Sequence, residues 1–232
     1  MQTRTLCLMA LGGTALLAGG ATLFSSPAVA PVPLDPAVPR SVMVQVTITN
    51  LTRGQTFSPP LVVVHDPGVD LFEAGMPASI ELQALAEDGD AGPLMALLGG
   101  DPGVLDLQQA AAALDPGAST TLTVMADPAH RHLSIAGMLV STNDTFFGLD
   151  AFEGMAAGSR VELLLPAWDA GTEVNSENCA FIPGPPCGGA GVHDPTPAEG
   201  YVHISSGIQG IGDLGPEADW RNPVARVVLE LL

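Results

Sequence analysis

The 232-residue chain contains no lysine, and all seven of its basic residues are arginines. Against these stand 25 aspartates and glutamates, which give a formal net charge of −18 at pH 7. A surface with so little positive charge repels the phosphates of nucleic acids and of anionic lipids. We therefore expect no nucleic-acid partner. The same surplus of carboxylates attracts divalent cations, although it is equally typical of a protein that must stay soluble in a salty medium.

Aromatic residues and signatures of catalysis are also scarce. Two tryptophans and one tyrosine would give a sugar cleft only a thin lining. The sequence has neither the G-x-S-x-G elbow of a serine hydrolase nor the H-x-x-x-H pair of a helical zinc site. His130 and His132 fall on one face of an extended segment, where a solvated pair is commoner than a soft-metal site. We therefore expect a protein that is not an enzyme.

Long apolar runs are missing after residue 30, since no segment reaches the roughly 18 residues of a membrane-spanning helix. The first 30 residues differ: Arg4 precedes the apolar stretch 6–24, and Ala28-Val29-Ala30 is typical of a signal-peptidase site. Residues 1–30 are therefore predicted to be a signal peptide, with a retained N-terminal anchor as the alternative. The prolines of residues 31–41 predict an extended linker. We expect the mature protein to be secreted, periplasmic or in the cell envelope.

Cysteine is rare, with three in the chain, and Cys7 falls within the predicted signal peptide. Cys179 and Cys187 remain, and an even pair in an exported protein predicts a disulfide. The segment between them is stiff and rich in turn residues, which suits a short closed loop. Two free thiols, or a metal site built on these two sulfurs, are the less favoured alternatives.

Short runs of alternating or β-branched apolar residues are abundant. They predict strands at residues 42–50, 61–64, 119–125, 133–140, 160–165, 201–204 and 224–231. The last of these is almost continuously apolar, which is typical of a central strand. Helices are predicted at residues 77–87 and 93–98, while residues 105–114 fit either a helix or a strand. The pattern indicates an all-β fold, an antiparallel β-sandwich with one or two short helices in an insertion, forming a single domain over residues 42–232.

Acidic residues follow two of the predicted strands. Asp169 and Glu173 lie in the segment WDAGTE after strand 160–165, and Asp144 ends the segment STND after strand 133–140. If the two strand ends are neighbours, three carboxylates converge, and such a cluster needs a proton, a cation or open water. Calcium takes six to eight oxygen ligands, so Asp144, Asp169 and Glu173 indicate a hard-cation site. The alternative is that Asp144 and Asp169 only cap turns through neighbouring backbone amides.

A series of short segments also has the order and spacing of a known family. They are FSPP at 57–60, HD at 65–66, LFEAG at 71–75, LAEDG at 85–89, LSIAGMLV at 133–140, TND at 142–144, WDAGTE at 168–173 and PVARV at 223–227. Together they resemble the spondin domain, the N-terminal module of F-spondin that also occurs alone in secreted bacterial proteins. The resemblance runs from about residue 42 to the end of the sequence.

The resemblance implies a β-sandwich related to calcium-dependent membrane-binding modules, with one Ca²⁺ held by loop carboxylates. The family's ligands fall on Asp144, Asp169 and Glu173, of which the last is often an aspartate in animal members. It further implies an adhesion or interaction module for an extracellular or cell-surface protein or glycan. One alternative is an exported metal-assisted hydrolase using the same acids, which would need a base such as His193 near the metal. Another is a purely structural envelope protein.

Overall fold

The computed structural model describes residues 41–153 and 160–232, which belong to one compact unit. The predicted signal peptide and all but the last residue of the predicted linker lie outside these described residues. The elements of the described part, in chain order, are β1 (Val42–Asn50), β2 (Leu61–His65), α1 (Ile80–Asp88), α2 (Gly92–Gly99), β3 (Val104–Gln109), β4 (Ser119–Ala126), β5 (His132–Met138), β6 (Thr145–Glu153), β7 (Arg160–Leu165), β8 (Ala167–Asp169), β9 (His203–Ile204) and β10 (Ala225–Leu231).

The strands form two antiparallel sheets. One sheet has four strands in the order β4-β1-β10-β7, and the other has six in the order β3-β2-β5-β6-β8-β9. The predicted β-sandwich is therefore confirmed. The C-terminal strand β10 pairs with β1 on one side and β7 on the other, so its predicted central position is also correct.

Two apolar layers lie on either side of the six-stranded sheet. The sandwich core between the sheets includes Val62, Val64 and Phe147, whereas Leu61 and Val63 belong to a second core that includes residues of the two helices. Strand β2 is buried along its whole length for this reason. A strand covered on both faces has no solvent-facing side, so its sequence is continuously apolar rather than alternating.

Both predicted helices are present, and local sequence sets their ends. The Ser79 hydroxyl accepts a hydrogen bond from the Leu82 N–H at the start of α1, and Gly89 ends it in the left-handed conformation with φ of 68°. Pro93 lies in the first turn of α2. Backbone N–H groups in the first turn have no acceptor within the helix, so the lack of an N–H in proline costs no hydrogen bond there. The undecided segment 105–114 contains strand β3, which ends at Gln109.

Strands β6 and β8 were not predicted from the sequence. Phe146 and Phe147 are both fully buried in β6, with Phe146 in the helix-side core and Phe147 in the sandwich core. Two adjacent aromatic residues facing opposite layers hide the alternation by which a strand is recognised. Strand β8 has three residues, too few for any periodicity.

The pairing of these two strands positions the acidic segments. Thr145, at the start of β6, pairs with Asp169, at the end of β8, and Asp169 in turn pairs with His203 of β9. Beyond β8, a disulfide joins Cys179 to Cys187 with their Cα atoms 4.8 Å apart, which confirms the predicted bond. Among the helices of the described residues, none has the length and apolar character needed to cross a membrane.

Candidate metal centre

Asp144 lies in the turn that leads into β6 and is fully buried. Its Oδ2 accepts hydrogen bonds from the backbone N–H groups of Thr172 at 2.8 Å and Glu173 at 3.1 Å. Its Oδ1 is also buried but has no hydrogen-bond partner among the described residues. Burial raises the pKa of Asp144 well above its usual range, and the negative charge of Asp169 raises it further.

Glu173 is fully buried in the loop after β8. Its Oε1 accepts a hydrogen bond from the backbone N–H of Asp194, whereas its Oε2 has no partner of normal geometry within the described part of the chain. Burial raises the pKa of Glu173 from 4.5 to about 7, and the charge of Glu87 raises it as well. The Asp194 N–H and the neighbouring Asn143 amide offset only part of this rise.

Asp169 is better satisfied than the other two acids. Its Oδ1 accepts a hydrogen bond from the Gly171 N–H at 2.9 Å, and its Oδ2 accepts one from the Asn175 amide at 2.7 Å. Burial raises the pKa of Asp169, and these two hydrogen bonds oppose that rise. Both carboxylate oxygens keep a second lone pair, so the hydrogen bonds do not prevent Asp169 from binding a cation.

A fourth buried acid, Glu87, comes from the end of α1. Its negative charge raises the pKa of both Asp144 and Glu173, which places it close to the two. Unlike them it is fully paired, because its Oε1 accepts a hydrogen bond from Gln83 and its Oε2 lies 2.8 Å from Nδ1 of His193. The imidazole of His193 therefore lies at the border of the acidic cluster.

These contacts define what the cluster can do chemically. Asp144, Asp169 and Glu173 are brought into one loop cluster, and each has a raised pKa because burial disfavours its charge. Two buried carboxylate oxygens, Asp144 Oδ1 and Glu173 Oε2, lack a donor. Buried carboxylates in this condition require either protons or a cation. The set of donor atoms within 4.8 Å of one another is, however, that of Asp169, Glu199 and His203. Joint binding of a hard divalent ion by Asp144, Asp169 and Glu173 therefore remains a prediction.

Asp169 also belongs to another group of possible metal-binding residues. Ligand atoms of Asp169, Glu199 and His203 all lie within 4.8 Å of one another. Neither Glu199 nor His203 was predicted as a site residue. His203 fell within a predicted strand, and only the long-range pairing of β8 with β9 places it beside Asp169, so the sequence carried no local signal for this group.

Glu177 is an acid with a structural role. Its side chain is buried, and its two oxygens accept hydrogen bonds from four consecutive backbone N–H groups, those of Gln209, Gly210, Ile211 and Gly212. A carboxylate held by four amides is satisfied without a cation. Glu177 therefore fixes the 209–212 loop and is not a candidate metal ligand.

The family of the chain follows from comparison with known proteins. The family model Spondin_N matches residues 49–179, which is more than half of the chain. The chain belongs to the spondin family. The matched region includes Asp144, Asp169 and Glu173 and confirms the resemblance of the segments from 57 to 173, whereas PVARV at 223–227 lies outside it. No curated protein matches the chain.

Proposed function

We propose that this spondin domain binds one calcium-like divalent cation through Asp144, Asp169 and Glu173. The observation that carries the proposal is the pair of buried, unpartnered oxygens on Asp144 and Glu173. The charge of Glu87 raises the pKa of both acids, and a bound ion would offset this repulsion. Calcium accepts irregular sets of six to eight oxygens, and carboxylates are its usual charged ligands.

The chain supplies the chemistry of such a site as follows. When bound, the ion supplies positive charge that fixes the loops after β8 and before β6 in one arrangement. Asp144 and Glu173 contribute their unpartnered oxygens, while Asp169 is oriented by Gly171 and Asn175. The Asp144 Oδ2 contact with the Glu173 N–H ties the two ligand segments together. In this proposal the ion acts on loop segments that the hydrogen bonds to Asp144 already join.

We further propose that the domain works outside the cytoplasm as an adhesion or interaction module. The predicted signal peptide, the Cys179–Cys187 disulfide and the typical extracellular location of spondin domains support this location. The partner would be an extracellular or cell-surface protein or glycan, recognised on a surface whose loops the cation orders.

Thermal unfolding with calcium and with a chelator tests the cation site. At a hundredfold excess of calcium over its dissociation constant, mass action stabilises the folded state by about 2.7 kcal/mol. For a domain of this size we expect a rise in Tm of about 5–10 °C. Glu173→Gln should abolish the rise, whereas Glu162→Gln, at an exposed acid on β7, should keep it. The absence of a calcium-induced rise in the wild type would contradict the proposal.

A metal-assisted hydrolase is the second candidate, because His193 lies at the border of the acidic cluster. Its Nδ1 lies 2.8 Å from Oε2 of Glu87, the acid whose charge raises the pKa of Glu173. An enzyme would need such a proton acceptor near a metal-bound water. Calcium-dependent cleavage of a generic ester or peptide that is lost in His193→Ala, with the calcium-induced Tm rise intact, would favour this candidate over a binding module.

A further inference from the structure

We propose that Asp169, Glu199 and His203 form a second metal site, which binds a first-row transition ion of the Zn²⁺ class. One imidazole nitrogen and two carboxylate oxygens come within 4.8 Å of one another here. The three residues come from the end of β8, the loop before β9, and β9 itself. The site shares Asp169 with the proposed calcium cluster, but its other two ligands are separate.

The strongest support comes from the orientation of His203. Its Nδ1 lies 3.1 Å from the backbone carbonyl of Ile204, and a carbonyl can only accept, so Nδ1 carries the proton. In the neutral ring, Nε2 then presents its lone pair. A hydrogen bond from one ring nitrogen to a backbone carbonyl is the usual arrangement of a histidine whose other nitrogen binds a metal.

The surroundings of Nε2 of His203 are those expected of a metal-binding nitrogen. It is buried and has no hydrogen-bond partner among the described residues. It lies 3.5 Å from Oδ1 of Asp169, farther apart than in a normal hydrogen bond. Two atoms each about 2.1 Å from one tetrahedral zinc ion lie about 3.4 Å apart. The observed separation therefore matches two ligands of one ion.

The backbone holds the three residues in place. Asp169 and His203 are direct partners in the β8–β9 pairing. Next to Glu199, the N–H of Gly200 donates to the carbonyl of Gly171 at 2.9 Å, which ties the Glu199 segment to the Asp169 segment. Metal sites on paired strands and tied loops need little rearrangement to bind, so this scaffold favours affinity.

The donor set selects the class of ion. Calcium and magnesium bind oxygen ligands, whereas imidazole suits zinc and its first-row neighbours. One nitrogen and two carboxylate oxygens give three protein ligands, which is the number at zinc sites that keep a further position for water. Glu199 is exposed, so the ion reaches the site from solvent. Zn²⁺ should therefore bind here in preference to Ca²⁺.

Titration of chelator-treated protein with Zn²⁺ by calorimetry, together with the visible spectrum of the Co²⁺ form, tests the site. His203→Ala and Glu199→Gln should each weaken Zn²⁺ binding by more than the roughly 10- to 100-fold that loss of an outer-shell partner costs. Both should leave the calcium-induced rise in Tm unchanged. Asp144→Asn should keep the Zn²⁺ affinity of the wild type and lose the calcium-induced rise in Tm. This contrast separates the proposal from the calcium site. The Co²⁺ form should show the intense visible bands of a tetrahedral ion, and His203→Ala should lose them.

His130→Ala is the matched control, because His130 also contacts one carboxylate, with its Nδ1 3.0 Å from Asp127, but lies outside the site. It should bind Zn²⁺ as the wild type does. Equal Zn²⁺ affinity in the wild type and His203→Ala would identify the binding as adventitious and overturn the proposal. No Zn²⁺ binding by the wild type would identify His203 and Asp169 as an ion pair only, which also overturns it.

Discussion

Oδ2 of Asp144 accepts a hydrogen bond from the backbone N–H of Glu173 at 3.1 Å. One acid of the cluster therefore fixes the main chain of another, and each has a buried oxygen with no partner among the described residues. The charge of Glu87 raises the pKa of both acids. Protonation or a bound cation would lower the free energy of such buried carboxylates.

Asp144→Asn should abolish the calcium-induced rise in Tm while leaving the chelated protein as stable as the wild type or more so. The new amide can keep its oxygen at the Oδ2 position, where Thr172 and Glu173 donate, and place its nitrogen where Oδ1 had no partner. The substitution thus removes a buried charge without losing a hydrogen bond. Thermal unfolding in chelator and in calcium measures both effects.

Asp169→Asn should be compared with Asp144→Asn for its calcium response and its stability in chelator. In one orientation the new N–H₂ faces the Gly171 N–H, and in the other it faces the Asn175 amide, which must then turn its own oxygen toward residue 169. We expect Asp169→Asn to lose the calcium response and also to be less stable than Asp144→Asn in chelator. Equal stability of the two chelated variants would show that these hydrogen bonds contribute little.

Calcium binding near neutral pH should release a proton from Glu173. Its pKa of about 7 in the cation-free protein means that it is partly protonated there, and a cation favours the charged form. Calorimetry at pH 6.5 in buffers of different ionisation enthalpy measures the proton count. Glu173→Gln should bind weakly, and Glu162→Gln should release as many protons as the wild type. Binding without proton release would place Glu173 outside the site.

The same raised pKa predicts how the chelated protein depends on pH. Folded Glu173 holds its proton to about pH 7, whereas its unfolded value is 4.5, so the native state binds more protons between these limits. The contribution of Glu173 to stability is then complete below about pH 4.5 and is lost as the pH rises through 7. Urea unfolding in chelator at pH 5.5 and 7.5 should show this loss in the wild type and a smaller one in Glu173→Gln.

Gly171→Ala should be much more destabilising than Gly117→Ala. Both glycines have positive φ, 64° and 77°, so each substitution carries the cost of about 1–2 kcal/mol for a left-handed backbone. A Cβ at Gly171 would also overlap the main chain of Tyr201, whereas one at Gly117 meets nothing within 4 Å. The difference between the two variants in their free energy of unfolding, measured with denaturant, gives the cost of the overlap with Tyr201. Similar losses would show that the Tyr201 loop gives way at little cost.

Glu177→Gln should destabilise the fold by at least about 2 kcal/mol, although it leaves the calcium response in place. One of the two acceptor oxygens becomes a donor that faces backbone N–H groups, and those groups lose their partner. Glu217→Gln, at an exposed acid, should change stability by less than about 0.5 kcal/mol. A loss below 1 kcal/mol for Glu177→Gln would contradict an anchoring role.

The parts of this protein that depend on local sequence patterns could be predicted from the sequence. Strand β1, both helices and the disulfide could be predicted because alternation, capping residues and cysteine parity are local signals. Strand β6 could not, because Phe146 and Phe147 face two different apolar layers. The three acids were found from their positions after two predicted strands, and the segments shared with the spondin family pointed to the same residues.

The Glu199–His203 group could not be predicted, because it exists only through the pairing of β8 with β9. Glu177 is a further example. In the sequence it is one acid among 25, and only the fold shows that four amides of a distant loop enclose its carboxylate.

The pairing of β1 with β10 has a consequence for how the chain folds. Val44 pairs with Leu231, and β10 lies between β1 and β7, so the middle of the four-stranded sheet joins strands that are far apart in the sequence. Without β10, β1 and β7 have no common neighbour. Such distant pairings are entropically costly to close and slow folding. The apolar residues of β1 must therefore avoid wrong contacts until β10 is available, so the four-stranded sheet can close only after β10 has been synthesised.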